Sequence, residues 1–66
     1  KTVLALAIGM RLNLDETKDL LSRAGYALSP GNKFDLIVKY CIEIGEYNIV
    51  KINILLYEYG EETLGD

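Results

Sequence analysis

The sequence predicts an all-α domain, a compact bundle of four to five short helices. Apolar residues recur at intervals of three and four positions along most of the chain, which is the period of an α-helix. Asn, Gly and Pro stand where this pattern is interrupted, as they do at helix ends. The length of 66 residues fits one domain, and at this size folding buries only roughly 60% of the surface of the unfolded chain.

The first helix is predicted over residues 1–11. One side of this helix contains Val3, Leu4, Ala7, Ile8 and Arg11, and another side contains Leu6 and Met10. Gly9 costs a helix about 0.5–1 kcal/mol relative to Ala, so we expect close packing or a bend there.

Because the chain begins at Lys1 without Met, we interpret residues 1–66 as a single helical domain cut from a larger protein. Removal of an initiator Met or a tag is the alternative.

The second helix is predicted to begin after Asn13. Asn13 and Glu16 have the spacing of a capping box, and Asp15 adds negative charge to the first turn. The buried edge is expected to contain Leu14, Thr17, Leu21 and Ala24, with Leu20 alongside. Exposed ion pairs are expected between Asp19 and Arg23 and between Asp15 and Lys18. Gly25 is the predicted stop, and a loop of about two residues makes the first two helices antiparallel or sharply angled neighbours.

Residues 26–32 form the clearest break in the pattern. Ser29 and Pro30 could cap the next helix, or Gly31 and Asn32 could form a turn before a helix that starts near Lys33. Tyr26 and Leu28, which precede this point, are expected to cover one end of the bundle. A short extra helical turn would fit here or in the tail.

The third helix, over residues 33–44, has the widest apolar surface, and Gly45 is its predicted stop. One stripe contains Phe34, Ile37, Val38, Cys41 and Ile42, a second contains Leu36, Tyr40 and Ile44, and the remaining polar face contains Lys33, Asp35, Lys39 and Glu43. Such a helix packs on more than one neighbour, so we expect it at the centre of the bundle.

The last segment, residues 49–59, is ambiguous. Val50, Ile52 and Ile54 alternate with polar residues as in a strand. The same segment also has two helical stripes, one of Ile49, Ile52, Leu56 and Tyr59 and one of Val50, Ile54 and Tyr57. Because a lone strand would lack a partner in a helical chain, a helix is predicted, capped by Asn48 and ended by Gly60. Leu64 in the acidic tail is expected to fold back.

Enzymatic chemistry is not indicated. The chain has no His, and its single Cys41 lies in the apolar stripe, where a thiol acts as a small hydrophobe. Ser22 and Ser29 have no recognisable base. We therefore predict no catalytic, cofactor-binding or metal-binding residues, and we interpret Asp15, Glu16 and Asp19 as capping and solubilising groups. One unpaired Cys fits the reducing cytoplasm.

Charge and hydropathy narrow the class of partner. Net charge is −3, with ten acidic and seven basic residues interleaved, so direct binding to nucleic acid is not expected. No apolar run approaches the ~20 residues of a membrane span. Eight of the eleven residues 49–59 are apolar, and Val50, Ile54, Leu55 and Tyr57 are candidates to remain at the surface. The five tyrosines fit either a protein interface or the rim of a small core.

The pattern also resembles a small bacterial helical module. The residues that carry the resemblance are Leu4-Ala5-Leu6-Ala7, Leu12-Asn13-Leu14, Leu20-Leu21, Ala24-Gly25-Tyr26, Leu28-Ser29, Asp35-Leu36-Ile37, Tyr47-Asn48-Ile49, Ile52-Asn53 and Tyr59-Gly60. This module lies C-terminal to helix-turn-helix and macro-domain proteins. It is similar in outline to the bacterial death-like domains, which implies an orthogonal bundle and an adaptor role in immunity proteins. The matching residues are packing residues, and the resemblance implies no catalytic group.

Two functions follow as hypotheses. The first is a non-catalytic adaptor that binds itself or a like helical domain and assembles an attached effector. Lys33 and Lys39 of one copy could then attract Asp15 and Asp19 of the next, and such head-to-tail contacts build rings or filaments. The second is a regulatory or dimerisation domain of a helix-turn-helix regulator. For direct DNA reading, the seven-residue connector is too long and the candidate recognition helix is too apolar.

Overall fold

Four α-helices form the chain in the computed structural model, which describes residues 2–64. They are α1 (Thr2–Gly9), α2 (Leu14–Arg23), α3 (Lys33–Glu43) and α4 (Ile49–Glu58). Residues 2–64 contain no strand, so the predicted all-α class and the predicted helix over the last segment are confirmed. An extra turn of helix is absent from the connectors and from the tail up to Leu64. Lys1, predicted to lie in the first helix, is outside the described residues.

Asparagine caps three of the four helices. The Asn13 side chain accepts a hydrogen bond from the Glu16 N–H at 2.8 Å, and Glu16 Oε1 accepts one from the Asn13 N–H at 2.9 Å, which confirms the capping box. Asn48 Oδ1 accepts from the Val50 N–H at 2.9 Å. The cap of α3 is Asn32 rather than Ser29, so the turn preceding Lys33 is the correct alternative.

All four helices end in the same Schellman hydrogen-bond pattern. After α2, α3 and α4 the left-handed position is Gly25, Gly45 or Gly60, with φ of 74°, 77° and 74°, as the sequence predicted. After α1 it is Arg11, with φ 54°, and the Leu12 N–H donates to the Ala7 carbonyl at 3.1 Å. The predicted end of α1 at residue 11 is therefore wrong. The helix ends at Gly9, and four residues rather than two separate it from α2.

Gly9 does not mark a close helix contact. A Cβ atom at this position would have no other atom within 4 Å, apart from chain neighbours and the helix's own backbone. Of the two alternatives expected at Gly9, close packing or a bend, close packing is therefore wrong. Gly9 is instead the last residue of α1, two positions before the left-handed residue Arg11.

The helices pack in a closed ring. α1 contacts α2 and α4, and α3 contacts the same two helices. The prediction that α3 packs on more than one neighbour is confirmed, but its expected central place is wrong because α1 has as many neighbours. The radius of gyration of 10.6 Å matches the value of about 10.8 Å expected for a folded domain of this length.

The core draws on every helix and on the tail. It contains Leu4, Ile8, Leu21, Phe34, Ile37, Val38, Cys41, Ile42, Ile52, Leu56 and Leu64. Leu64 folds back as expected, and its N–H donates to Asn53 Oδ1 at 2.8 Å. Tyr47 Oη donates to the Leu12 carbonyl at 2.6 Å, which ties the α3–α4 connector to the α1–α2 connector. The tail and the connectors are thereby fixed to the ring, and the outer faces of the helices remain open.

Candidate interaction surface

The outer face of α4 is apolar. Val50, Ile54 and Tyr57 lie at intervals of four and three residues, so they form one stripe, which we call the α4 strip. Their exposed fractions are 61%, 55% and 77%, whereas Ile52 and Leu56 on the opposite side of the helix are fully buried. The α4 strip therefore points away from the core, and no side chain among residues 2–64 covers it.

Two charged residues border the α4 strip on one edge. Lys51 and Glu58 are both exposed, and a spacing of seven residues places them on the same side of the helix, two turns apart. Neither forms an ion pair with another residue of 2–64. Lys51 lies in the first turn and Glu58 is the last residue of the helix. The helix dipole favours the opposite order, with negative charge at the start and positive charge at the end.

An apolar groove runs between α3 and α4. It has a volume of about 420 Å³ and is lined by Leu36, Ile37, Tyr40, Leu55 and Tyr59. Leu36 and Tyr40 are exposed on its α3 side, and Ile44 continues the same row. These three residues were predicted to form a flanking stripe of a central helix. Because α3 is not central, the stripe remains at the surface.

A third exposed apolar pair lies on α1. Leu6 and Met10, predicted to share a side of the first helix, are both more than half exposed. Of the residues that the sequence places on the other side of this helix, Leu4, Ala7 and Ile8 are buried, whereas Arg11 is exposed. The Arg11 guanidinium lies 6.0 Å from the centre of the Tyr47 ring. Exposed apolar surface is thus present on three helices, and the α4 strip is bordered by charges of both signs.

A buried carboxylate on α3 binds two residues of the connector between α2 and α3. Asp35 was predicted on the polar face of the third helix, but it is only 3% exposed. Its Oδ1 accepts a hydrogen bond from Tyr26 Oη at 2.7 Å, and its Oδ2 accepts one from the Ser29 N–H at 2.9 Å. Both oxygens therefore have donors, as a buried carboxylate requires. We call Tyr26, Ser29 and Asp35 the connector clasp.

The clasp explains how Tyr26 covers the end of the bundle. The hydrogen bond to Asp35, together with burial and the Asp35 charge, raises the pKa of Tyr26 to about 12. The phenol thus stays protonated and donates well above the pH at which a free tyrosine ionises. Leu28 packs partly buried against the core from the same connector. The clasp holds the loop in place and presents no free reactive group.

The remaining candidate groups are structural. Cys41 is buried in the core, as predicted, and burial, with a smaller effect of the Glu46 charge, raises the pKa of its thiol. Thr17 is fully buried on α2, and its Oγ1 has no hydrogen-bond partner in the part of the chain that the structure describes.

Within residues 2–64, no three His, Cys, Asp or Glu side chains are grouped in a way that could hold a metal ion. No helix of this part of the chain is long and apolar enough to cross a bilayer.

The structure brings together some of the residues that the sequence singled out as candidates for the surface, and it separates others. Val50, Ile54 and Tyr57 come together at the surface, whereas Leu55 is half-buried and packs against the core. Asp19 is paired within its own helix, with Oδ2 3.1 Å from Arg23 Nε. Lys51 and Glu58 were missed by sequence reasoning. The sequence feature that could have identified them is the order of the two charges along the last helix, because a basic residue near its start and an acidic residue at its end oppose the helix dipole.

No family model matches this chain, and no curated protein or solved structure matches it significantly. Functional inference therefore rests on the geometry of the described residues.

Proposed function

We propose that this chain is a non-catalytic protein–protein interaction module that associates with copies of itself. The single observation that carries the proposal is the α4 strip, in which three large apolar side chains face away from the core. Contiguous exposed apolar side chains are the usual mark of an interaction site in a small domain. Tyr57, the most exposed of the three, belongs to a residue type that is enriched in interfaces.

Self-association would assemble an effector attached to the module. This role agrees with the adaptor function that the resemblance to bacterial death-like domains implies, and an orthogonal bundle and a cytoplasmic setting in immunity signalling are parts of the same proposal. The exposed face of α3 gives less support to a DNA-reading role. It presents Leu36, Tyr40 and Ile44, whereas a groove-reading helix needs polar and basic side chains.

Light scattering against protein concentration tests the proposal. The weight-average mass should rise above the 7.4 kDa of one chain as concentration increases. A series up to about 1 mM detects an association free energy as weak as about −4 kcal/mol. A chain that stays monomeric over this whole range would contradict the proposal. Repeating the series at high salt separates apolar contacts, which persist, from attraction between Lys33 or Lys39 and Asp15 or Asp19, which is screened.

A matched pair of variants locates the surface. Ile54→Lys places a charge in the α4 strip, and Leu6→Lys places the same charge on α1 at a side chain of nearly equal exposure, 55% against 54%. Ile54→Lys should abolish the rise in mass, and Leu6→Lys should leave it nearly unchanged. Circular dichroism of both variants confirms that each is folded.

A further inference from the structure

We infer that the α4 strip binds the α4 strip of a second copy, with the two helices antiparallel about a two-fold axis that passes beside Ile54. The inference rests on the proposed function and specifies its partner and geometry. It follows from the position of the two charges that border the strip, Lys51 near its start and Glu58 at its end.

The symmetry of the arrangement produces two reciprocal ion pairs. A two-fold axis perpendicular to both helices brings the same edge of each copy together and reverses its direction. Lys51 of one copy then faces Glu58 of the other, and Glu58 of the first faces Lys51 of the second. Ile54 meets its own symmetry mate, and Val50 lies opposite Tyr57. Every exposed residue of the strip and of its charged edge finds a complementary partner.

A parallel pair of helices lacks this match. A two-fold axis along the helices would bring the charged edge of one copy against the other edge of its partner, where Ile49 and Asn53 lie. Both Lys51 and Glu58 would then border an apolar or neutral row. Antiparallel packing also aligns the two helix dipoles favourably.

The order of the charges on α4 is the reverse of that on α2, and such a partner accounts for it. In α2, Asp15 and Glu16 occupy the first turn and Arg23 the last, which is the order that stabilises a helix from within. In α4 no acidic residue occupies the first turn and no basic residue the last. Lys51 and Glu58 are thus placed against the dipole of their own helix and without a partner in residues 2–64. A second copy in the antiparallel arrangement supplies a partner for both.

The contact is small. The strip spans seven residue steps, about 10 Å of helix, and a standard interface takes roughly 800 Å² from each partner. That area would be a large share of the 4329 Å² that this chain exposes. A two-turn strip buries much less, so we expect a weak dimer. Such a dimer becomes populated when tethering raises the local concentration to about the millimolar range.

Charge exchange between the two positions tests the geometry. Sedimentation equilibrium at low salt would compare Lys51→Glu, Glu58→Lys, an equimolar mixture of these two variants, and the double variant. Each single variant should weaken homodimerisation about tenfold, since both reciprocal pairs become like-charge pairs. The mixture should form a heterodimer within about threefold of the wild-type affinity, because every acidic site then faces a basic one, and the double variant should recover likewise.

The design controls for folding and for net charge. Each single substitution places a charge that the helix dipole favours, so neither is expected to unfold the chain. Glu58→Lys also moves the net charge of −3 towards zero, which by itself would promote association. A weaker dimer in this variant would therefore result from the lost ion pairs and not from the change in net charge. Lys33→Glu, which changes an exposed charge on α3 by the same amount as Lys51→Glu, is the matched control and should leave the dimer nearly unchanged.

The outcomes separate this inference from the proposed function. A wild-type chain that self-associates while neither single variant weakens the dimer would overturn the antiparallel α4 contact and leave the adaptor proposal standing. A mixture that associates no better than the single variants would overturn the reciprocal pairing. A wild-type chain that remains monomeric contradicts both.

Discussion

Helices α2 and α4 have the same length and the same kind of cap, but they face solvent in opposite ways. Each has ten residues and begins after an Asn. The outer face of α2 carries charged and polar side chains in the order that its dipole favours. The outer face of α4 carries Val50, Ile54 and Tyr57, bordered by charges in the reverse order. The difference shows that the charges of α2 stabilise it as a solvent-facing helix, whereas the exposed apolar face of α4 is the surface on which the proposed self-association rests.

The largest expected effect separates the two faces of α4 itself. Leu56→Ala removes a fully buried side chain and should lower the free energy of unfolding by about 2–5 kcal/mol. Ile54→Ala, two residues earlier on the α4 strip, should change it by less than about 0.5 kcal/mol. Urea unfolding followed by circular dichroism in dilute solution measures both. Equal losses would show that Ile54 belongs to the core and that the strip is not a free surface.

The next effect concerns the connector clasp, which closes the bundle between α2 and α3. Asp35→Ala leaves the Tyr26 hydroxyl and the Ser29 N–H without their acceptor, so we expect a loss of about 2–3 kcal/mol in the free energy of unfolding. Glu43→Ala, an exposed carboxylate on the same helix, is the control and should cost less than about 0.5 kcal/mol. A similar small loss for Asp35→Ala would contradict the clasp.

The clasp also makes the free energy of unfolding depend on pH in the alkaline range. The pKa of Tyr26 is raised from its usual 10.0 to about 12, so the folded chain holds this proton more tightly than the unfolded chain. The stabilisation is therefore complete below pH 10 and is lost as pH rises towards 12. In a spectrophotometric titration, the Tyr26 hydroxyl should give a late ionisation step, well above the usual pKa of 10.0, and Tyr26→Phe should remove this step. A late step that persists in Tyr26→Phe would assign it to another residue.

A smaller effect is expected on the inner side of α2. Thr17 Oγ1 is buried without a hydrogen-bond partner among residues 2–64, and Val has nearly the same shape without the hydroxyl. Thr17→Val should therefore raise the free energy of unfolding by about 1 kcal/mol. Thermal unfolding measures the change as a higher Tm. A lower Tm would show that the hydroxyl has a bonding partner in solution.

The smallest effect tests the charge order of the two helices directly. Lys51→Glu in α4 should stabilise the monomer by about 0.3–1 kcal/mol, and Asp15→Lys in α2 should destabilise it by a similar amount. Both changes should shrink at high salt, since the dipole effect is screened. Changes of the same sign would remove the electrostatic contrast between α2 and α4.

Much of the fold could be predicted from the sequence because its signals are local. Asn13, Asn48, Gly25, Gly45 and Gly60 act within one turn of their own position, and each was assigned its observed role. Arg11 was not identified as a left-handed residue because non-glycine residues rarely adopt that conformation. The last segment was ambiguous as an isolated stretch, and the absence of a partner strand favoured the helix that the structure contains.

The parts that could not be predicted depend on tertiary contacts. Asp35 has the spacing of a surface residue, and its burial depends on Tyr26, nine positions away, and on the direction of one N–H in the connector. The α4 strip was expected from the excess of apolar residues, but only packing decides that Leu55 turns towards the core while Ile54 does not. The ring arrangement likewise decides that Leu36 and Tyr40 remain exposed.

Amide NMR spectra of the wild-type chain, recorded over a concentration series, test the central claim most directly. We predict that chemical shifts change with concentration along residues 50–58, on the outer face of α4, and stay constant at the connector clasp and along the outer face of α2. Shifts that are independent of concentration up to about 1 mM, which corresponds to an association free energy of about −4 kcal/mol, would contradict self-association. Shifts that move on α2 instead of α4 would contradict the choice of surface.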